Sequence, residues 1–332
     1  MSKSSFLSRR ELMTGAALAA TAMAAAPAIS QESDAPIDLA GKSVLITGCS
    51  SGFGRLTAEH CARLGAKVFA TMRNLPRPEA EELETLASEE NLDIQVIEID
   101  VTSDEQVEAG VATALDAAGG NIDVLVNNAG IAVSGPVEAQ DMEATQLIFD
   151  TNVFGPQRMI RAVMPSMRAA GSGQIFNVSS QLGRVIIPGI GQYSPTKFAL
   201  EALSEQLAYE TVQHGIDVTI IEPGGYPTKI WANQQPLSGA LKARLPEELI
   251  ADYPALTARM GVGGGGGSTD PMDIPRAIAE IIAMPAGQRP LRRAVHPDAR
   301  PQEGINEVSA QTQVAMLGES PFGPWVRDVH NV

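Results

Sequence analysis

The chain is poor in the residues that build metal centres and disulfide frameworks. Of its 332 residues only two are cysteine, Cys49 and Cys61, and neither stands in a metal-type spacing. A helix beginning near Phe53 would carry Cys61 about 12 Å along its axis, too far from Cys49 for a bridge. The four histidines, His60, His214, His296 and His330, are scattered, so no metal site is expected. Long apolar runs are missing as well. The stretch from Leu12 to Ile29 is mostly alanine and carries Thr14, Gly15, Thr21 and Pro27, which disfavours a membrane anchor. Basic charge is scarce, with 24 Lys+Arg against 39 Asp+Glu and a formal net charge of −15. A field of that sign repels polyanions and anionic lipid heads, so neither nucleic acid nor a membrane surface is an expected partner.

What is present begins with Ser8-Arg9-Arg10-Glu11-Leu12-Met13, a twin-arginine start, and the alanine-rich run behind it ends in the small-x-small pattern Ala26-Pro27-Ala28. Residues 1–28 read as a twin-arginine export signal, which implies a periplasmic protein; without that signal it would be cytoplasmic. Their removal lowers Lys+Arg from 24 to 21 and Asp+Glu from 39 to 38, for a net charge of −17. Residues 29–40 read as a linker, 41–300 as one domain and 301–332 as a tail with little periodic pattern and no assigned role. A content of 44% hydrophobic and 19% charged residues suits a single sizeable core.

Ser43-Val44-Leu45-Ile46-Thr47 is apolar, branched and too short for a helix, so it reads as a buried strand. Further strand candidates are Lys67–Thr71, Ile94–Ile99, Val124–Asn127, Gln174–Ser179, Asp217–Glu222 and Leu291–Val295, each followed by room for a helix or loop. The alternation predicts a three-layer α/β fold, with an about seven-stranded, mostly parallel sheet and helices on both faces. Gly48-Cys49-Ser50-Ser51-Gly52-Phe53-Gly54 follows the first strand and opens a helical pattern at Leu56, His60 and Leu64. Strand, glycine-rich turn and helix make a phosphate cradle, although such turns also occur with no ligand. Asp100, Asn127-Asn128-Ala129-Gly130, Ser179-Ser180 and Pro223-Gly224 all fall at carboxyl ends of strands, the edge where ligands collect in an open parallel sheet.

Tyr193 and Lys197 stand four apart, on one face of a helix. A nearby ammonium favours phenolate, so the tyrosine's pKa is expected to fall from about 10 towards neutrality, where it can exchange a proton. Such pairs also arise by chance in helices; the weight comes from the motifs around this one.

Thr47-Gly48-x-x-x-Gly52-x-Gly54, Asn127-Asn128-Ala129-Gly130, Asn152, Ser180, Tyr193-x-x-x-Lys197 and Pro223-Gly224 together resemble the short-chain dehydrogenase/reductase family, over about residues 36–300. The resemblance implies a Rossmann-type sheet, a bound NAD or NADP, and hydride transfer between the nicotinamide and an alcohol or ketone. By position, Tyr193 would be the general acid in reduction and base in oxidation. Lys197 would lower its pKa and hold the nicotinamide ribose, Ser180 would hydrogen-bond the substrate oxygen, and Asn152 would hold a water leading to solvent. Cofactor contacts are implied for Gly48, Ser50, Ser51, Gly52, Phe53, Gly54, Asp100, Val101, Asn127, Ala129, Gly130, Tyr193, Lys197, Pro223, Gly224 and Thr228. One departure is Pro195, which requires the helix to start close to Tyr193 or to bend there.

The end of the second strand, Ala70-Thr71-Met72-Arg73-Asn74, lacks the carboxylate that takes a ribose 2′-hydroxyl, and Arg73 suits a 2′-phosphate. NADP is therefore favoured over NAD, with Arg73 as its reader. Residues 225–270 form an insertion carrying Tyr226, Ile230, Trp231, Leu237, Leu241, Leu245, Tyr253, Leu256 and Met260, and ending in the glycine run 263–267, which reads as a hinge or spacer. Those side chains either line a lid over an apolar small-molecule substrate or pack on the protein or on a second subunit. Family likeness implies a homodimer or homotetramer. An alternative of another class, a dinucleotide-binding sensor or scaffold without chemistry, is set against the presence of all four of Asn152, Ser180, Tyr193 and Lys197.

Overall fold

The computed structural model describes residues 36–262, 265 and 267–332. The expected export signal over residues 1–28, most of the expected linker and three glycines of the 263–267 run lie outside the described residues. Seven strands form one sheet: β1 (Ser43–Ile46), β2 (Lys67–Met72), β3 (Ile94–Glu98), β4 (Val124–Asn127), β5 (Gly173–Val178), β6 (Ile216–Pro223) and β7 (Arg292–Val295). Their order is β3-β2-β1-β4-β5-β6-β7, and every neighbouring pair is parallel. The expected strands are found within one residue at each end, because the apolar runs that mark them are buried on both faces. Val44 and Ile46 pack to one side with Val68, Ile278 and Ile282, while Leu45 packs to the other with Phe69, Leu125 and Val163.

Helices α1 (Gly52–Arg63), α2 (Pro78–Glu90) and α3 (Asp104–Ala117) link the first four strands. After β4 come α4 (Met142–Phe149), a π-helical turn (Asp150–Phe154), α5 (Gly155–Ala170) and, beyond β5, α6 (Tyr193–Thr211). The chain runs outward from β1 to β3 and then returns to place β4 on the other side of β1. This reversal opens a crevice at the carboxyl ends of β1 and β4, where the glycine turn and Asn127–Gly130 lie. Burial pushes the thiols of Cys49 and Cys61, both free, up to about 12.

The insertion folds into α7 (Ile230–Ala243), α8 (Glu247–Asp252) and α9 (Pro254–Thr257), ahead of α10 (Asp273–Ala283). Its apolar residues divide. Leu241 and Met260 close a small core with Val133 and Ala144, against which Leu237 and Leu245 pack.

The tail departs from its reading as patternless chain, since it forms α11 (Glu303–Leu317) and α12 (Gly323–His330). No residue of α11 is buried, and its apolar residues, Ile305, Val308 and Met316 among them, stay exposed, so no core-facing stripe marks it. Polar anchors tie the tail down instead. Gln302 Nε2 donates to the Glu222 carbonyl at 3.3 Å, and Asn306 Nδ2 donates to Glu222 Oε2 at 2.7 Å. His330 Nε2 lies 2.7 Å from the Tyr209 hydroxyl, whose own hydrogen goes to Glu205 Oε1 at 2.6 Å.

These anchors surround a buried guanidinium. Arg292 donates to Glu201 at 2.9 Å and to Glu205 at 2.6 Å, with Glu222 Oε1 at 3.7 Å. Burial, then the charge of Glu201, push the Glu222 carboxyl up to about 7 from an ordinary 4.5. A carboxyl with a raised folded value favours folding below its ordinary value and costs stability increasingly as pH climbs towards 7. Glu222→Gln should therefore melt above wild type at pH 8, by the equivalent of about 1–3 kcal/mol, and close to it at pH 4. Thermal denaturation at the two pH values checks this, and identical differences at both would refute it.

Candidate active site

The crevice is the mouth of a cavity of about 710 Å³. Its first wall is the glycine turn. Gly48 and Gly52 have positive φ, and a Cβ on Gly54 would collide with Asn128 Nδ2 and the Gly48 carbonyl. Asn128, which sequence reasoning left out of the site, braces the turn through Nδ2 to the Thr47 carbonyl at 2.8 Å. The Thr47 hydroxyl accepts from the backbone of Asn128 and Ala129, both at 3.0 Å. Ser51, at the N-cap of α1, makes no side-chain cap, so the first N–H groups of α1 are left to a ligand beside the turn.

Gly48, Ser50, Ser51, Gly52, Phe53, Arg73, Asp100, Val101, Ala129, Gly130, Pro223, Gly224 and Thr228 all line this one cavity with Ser180, Tyr193 and Lys197. Three expected contacts stand behind the wall. Gly54 is covered by Asn128. Asn127 is buried in the sheet, donating to Asn177 Oδ1 at 2.8 Å, and Asn177 in turn donates to Ser204, also at 2.8 Å. Asn127 therefore supports the site from within the core instead of facing a ligand. Asn152 is the third. Its carboxamide accepts from Ile131 N and donates to Ile131 O, both at 2.9 Å, and also donates to the Thr196 hydroxyl at 3.1 Å. It sits in the π-helical turn, a local widening of the helix that aims the side chain at the loop after β4 and at α6.

Tyr193 is the first residue of α6, which puts Pro195 in the first turn, where its missing N–H does no harm. Lys197 follows one turn later, with Nζ 5.6 Å from the centre of the Tyr193 ring and donating to the Val178 carbonyl at 2.9 Å. Ser180 leaves the end of β5; its hydroxyl accepts from Leu182 N at 3.1 Å and stands near enough to the Tyr193 phenol to favour its ionised form. Gly130 keeps the space beside Asn152 and Lys197 open. A Cβ there would lie 3.3 Å from Asn152 Oδ1 and 3.8 Å from Lys197 Nζ.

The electrostatics differ from the sequence expectation. Tyr193 keeps some surface towards the cavity, but its phenol sits deep, and burial pushes it up to about 12 while the nearby Ser180 hydroxyl works in the other direction. The expected fall below 10 is absent because desolvation of the phenol itself outweighs the influence that lowers it, and the lysine is desolvated as well. Desolvation pushes the Lys197 ammonium down to about 8, with the charge of Glu201 pulling it back up.

At the far end, Arg73 is half exposed and holds only a loose pair with Asp100 at 4.0 Å. Arg77, absent from the sequence reading, lines the cavity beside it, but donates to Glu79 at 2.9 Å and to the Arg73 carbonyl at 3.3 Å. On the opposite side the insertion contributes Ile230, Trp231 and Leu237, and the loop before α6 contributes Ile187 and Ile190.

A doubly wound parallel sheet with a glycine-turn cradle and a buried serine–tyrosine–lysine group defines a dinucleotide-dependent oxidoreductase. Comparison with known proteins agrees: the family profile described as short chain dehydrogenase matches residues 42–237. The chain belongs to the short-chain dehydrogenase family of NAD(P)-dependent enzymes acting on CH–OH groups. It is 36% identical to retinol dehydrogenase 8 of Bos taurus over 76% of this chain and 81% of that one. With the mitochondrial D-beta-hydroxybutyrate dehydrogenase of Mus musculus it shares 33% over 73% and 74% of the two chains. A solved short-chain dehydrogenase from Streptomyces avermitilis superposes with a TM-score of 0.66 at 32% identity, covering 83% of this chain and 96% of that one.

Proposed function

We propose that the protein interconverts an apolar alcohol and its ketone or aldehyde with NADP, Tyr193 passing the proton. The carrying observation is that Ser180, Tyr193 and Lys197 meet on the wall of the cavity into which the glycine turn opens. Gly48, Ser50, Ser51 and Gly52 would hold the pyrophosphate, and Thr228, which packs over Gly52, would close it in. When bound, the nicotinamide supplies or accepts the hydride. In reduction, negative charge grows on the carbonyl oxygen. The Ser180 hydroxyl stabilises that charge with a hydrogen bond, and the Tyr193 hydroxyl gives up its proton to the same oxygen. The Lys197 ammonium then stands beside the phenolate left behind, whose formation at neutral pH it favours. In oxidation the phenolate takes the alcohol proton and the same contacts run backwards.

Arg73 supports NADP. Its guanidinium is half exposed and only loosely held by Asp100, so a 2′-phosphate can claim it, whereas Arg77 is already neutralised by Glu79. The substrate side supports an apolar molecule with a polar handle, since Ile187, Ile190, Ile230, Trp231 and Leu237 line the cavity together with Gln181, Asn233 and Gln234. That lining favours a substrate of the retinol kind over a short hydroxy acid. Ser8-Arg9-Arg10 supports export by the twin-arginine route, which carries folded protein and would let cofactor be loaded first.

Tyr193→Phe should keep NADP binding nearly intact and lower turnover by about two to four orders of magnitude, followed through the absorbance of reduced nicotinamide. Wild-type turnover in that variant would remove the mechanism. Arg73→Ala should weaken NADP far more than NAD in a binding titration, and an unchanged preference would refute the cofactor assignment. Replacing Arg9 and Arg10 together by lysine should retain the protein in the cytoplasmic fraction; undiminished export would count against the twin-arginine route.

A further inference from the structure

Helix α6 carries more than the tyrosine and lysine on its inner face. Tyr193, Lys197, Glu201, Glu205 and Tyr209 recur every four residues, so the row that starts at the cavity continues into the protein and ends against His330 of the tail. Glu201 is the member next to the lysine. It is 2% exposed, and its Oε2 accepts from Arg292 at 2.9 Å while Oε1 is buried without a hydrogen-bond partner.

For stability alone this arrangement is a poor one. Three carboxylates face the single Arg292 guanidinium, and Glu205 at 2.6 Å would satisfy much of it without Glu201. The surplus charge is costly, since Glu201 helps to push the Glu222 carboxyl away from its ionised form. The benefit lies one helical turn back, where the buried Lys197 ammonium donates to a neutral carbonyl and Glu201, buried on the same helix face with Oε1 unpartnered, adds a charge that acts to keep it protonated.

We propose that Glu201 is a positioning residue for the reaction: anchored by Arg292, its carboxylate holds Lys197 in the ammonium form on which Tyr193 depends. This rests on the Tyr193–Lys197 reading above. Other charged and titratable groups face the same cluster. Glu205 and Tyr209 come from α6, Glu222 from β6, Arg292 from β7, Arg184 from the turn after β5 and His330 from α12.

The test compares Glu201→Gln and Glu201→Met, which remove the charge in two shapes, with Glu201→Asp, which keeps it. Lys197 is titrated by NMR of protein labelled with ¹³C-lysine, its signal assigned by its loss in Lys197→Met, and kcat/KM for carbonyl reduction is followed against pH. In both neutral variants the lysine midpoint should fall by about one pH unit, and the alkaline loss of kcat/KM should move down by the same amount. Glu201→Asp should stay near wild type in both readouts. An unshifted lysine midpoint in a folded neutral variant would overturn the proposal. So would unfolding of both neutral variants beside a native Glu201→Asp, which would make the carboxylate structural. Failure of the underlying reading shows separately, as Lys197→Met turning over like wild type, because the NMR midpoint does not depend on activity.

Discussion

Burying the Lys197 ammonium beneath the end of β5 is the constraint around which the interior of this protein is arranged. A desolvated cation must be hydrogen-bonded and faced by negative charge, or it gives up its proton. The Val178 carbonyl meets the first need, and Glu201, one turn along α6, is placed to meet the second. That carboxylate needs a counter-cation in turn, which β7 provides as Arg292, and the remaining carboxylate of the cluster is held by Asn306 from the tail. The last strand and the terminal helices are thus coupled to a residue far earlier in the chain through electrostatics as well as through the packing of Val295, Val326 and Val329.

Much of this architecture could be read before any coordinates. Parallel strands buried on both faces leave short, branched, apolar runs, and these were legible to within a residue. The polar residues at the strand ends were equally plain, because a sheet of this kind sends its carboxyl ends to one edge. The hidden parts were those held by polar contacts between distant segments. Helix α11 buries nothing, so no core-facing stripe betrays it. Asn127 and Asn152 carry motif signatures that do not say whether a carboxamide faces a ligand or props up the backbone behind it. Arg77 falls in no motif, and only the turn after β2 brings it to the cavity beside Arg73.

The tyrosine shows a different limit. Spacing on a helix is enough to place an ammonium near a phenol and to give the sign of its influence. It says nothing of how deeply both are buried, and burial acts on the two groups in opposite directions, raising the phenol and lowering the amine. Only the folded environment decides which effect wins, and here desolvation does.

The two buried sulfurs carry a practical consequence. Cys49 lies inside the very turn that would grip the dinucleotide, so any adduct on it would jam that grip. With its thiol pushed up to about 12, only about one molecule in 100,000 presents the reactive anion at pH 7. Burial should therefore spare these two sulfurs from thiol-directed oxidation and alkylation as long as the protein stays folded.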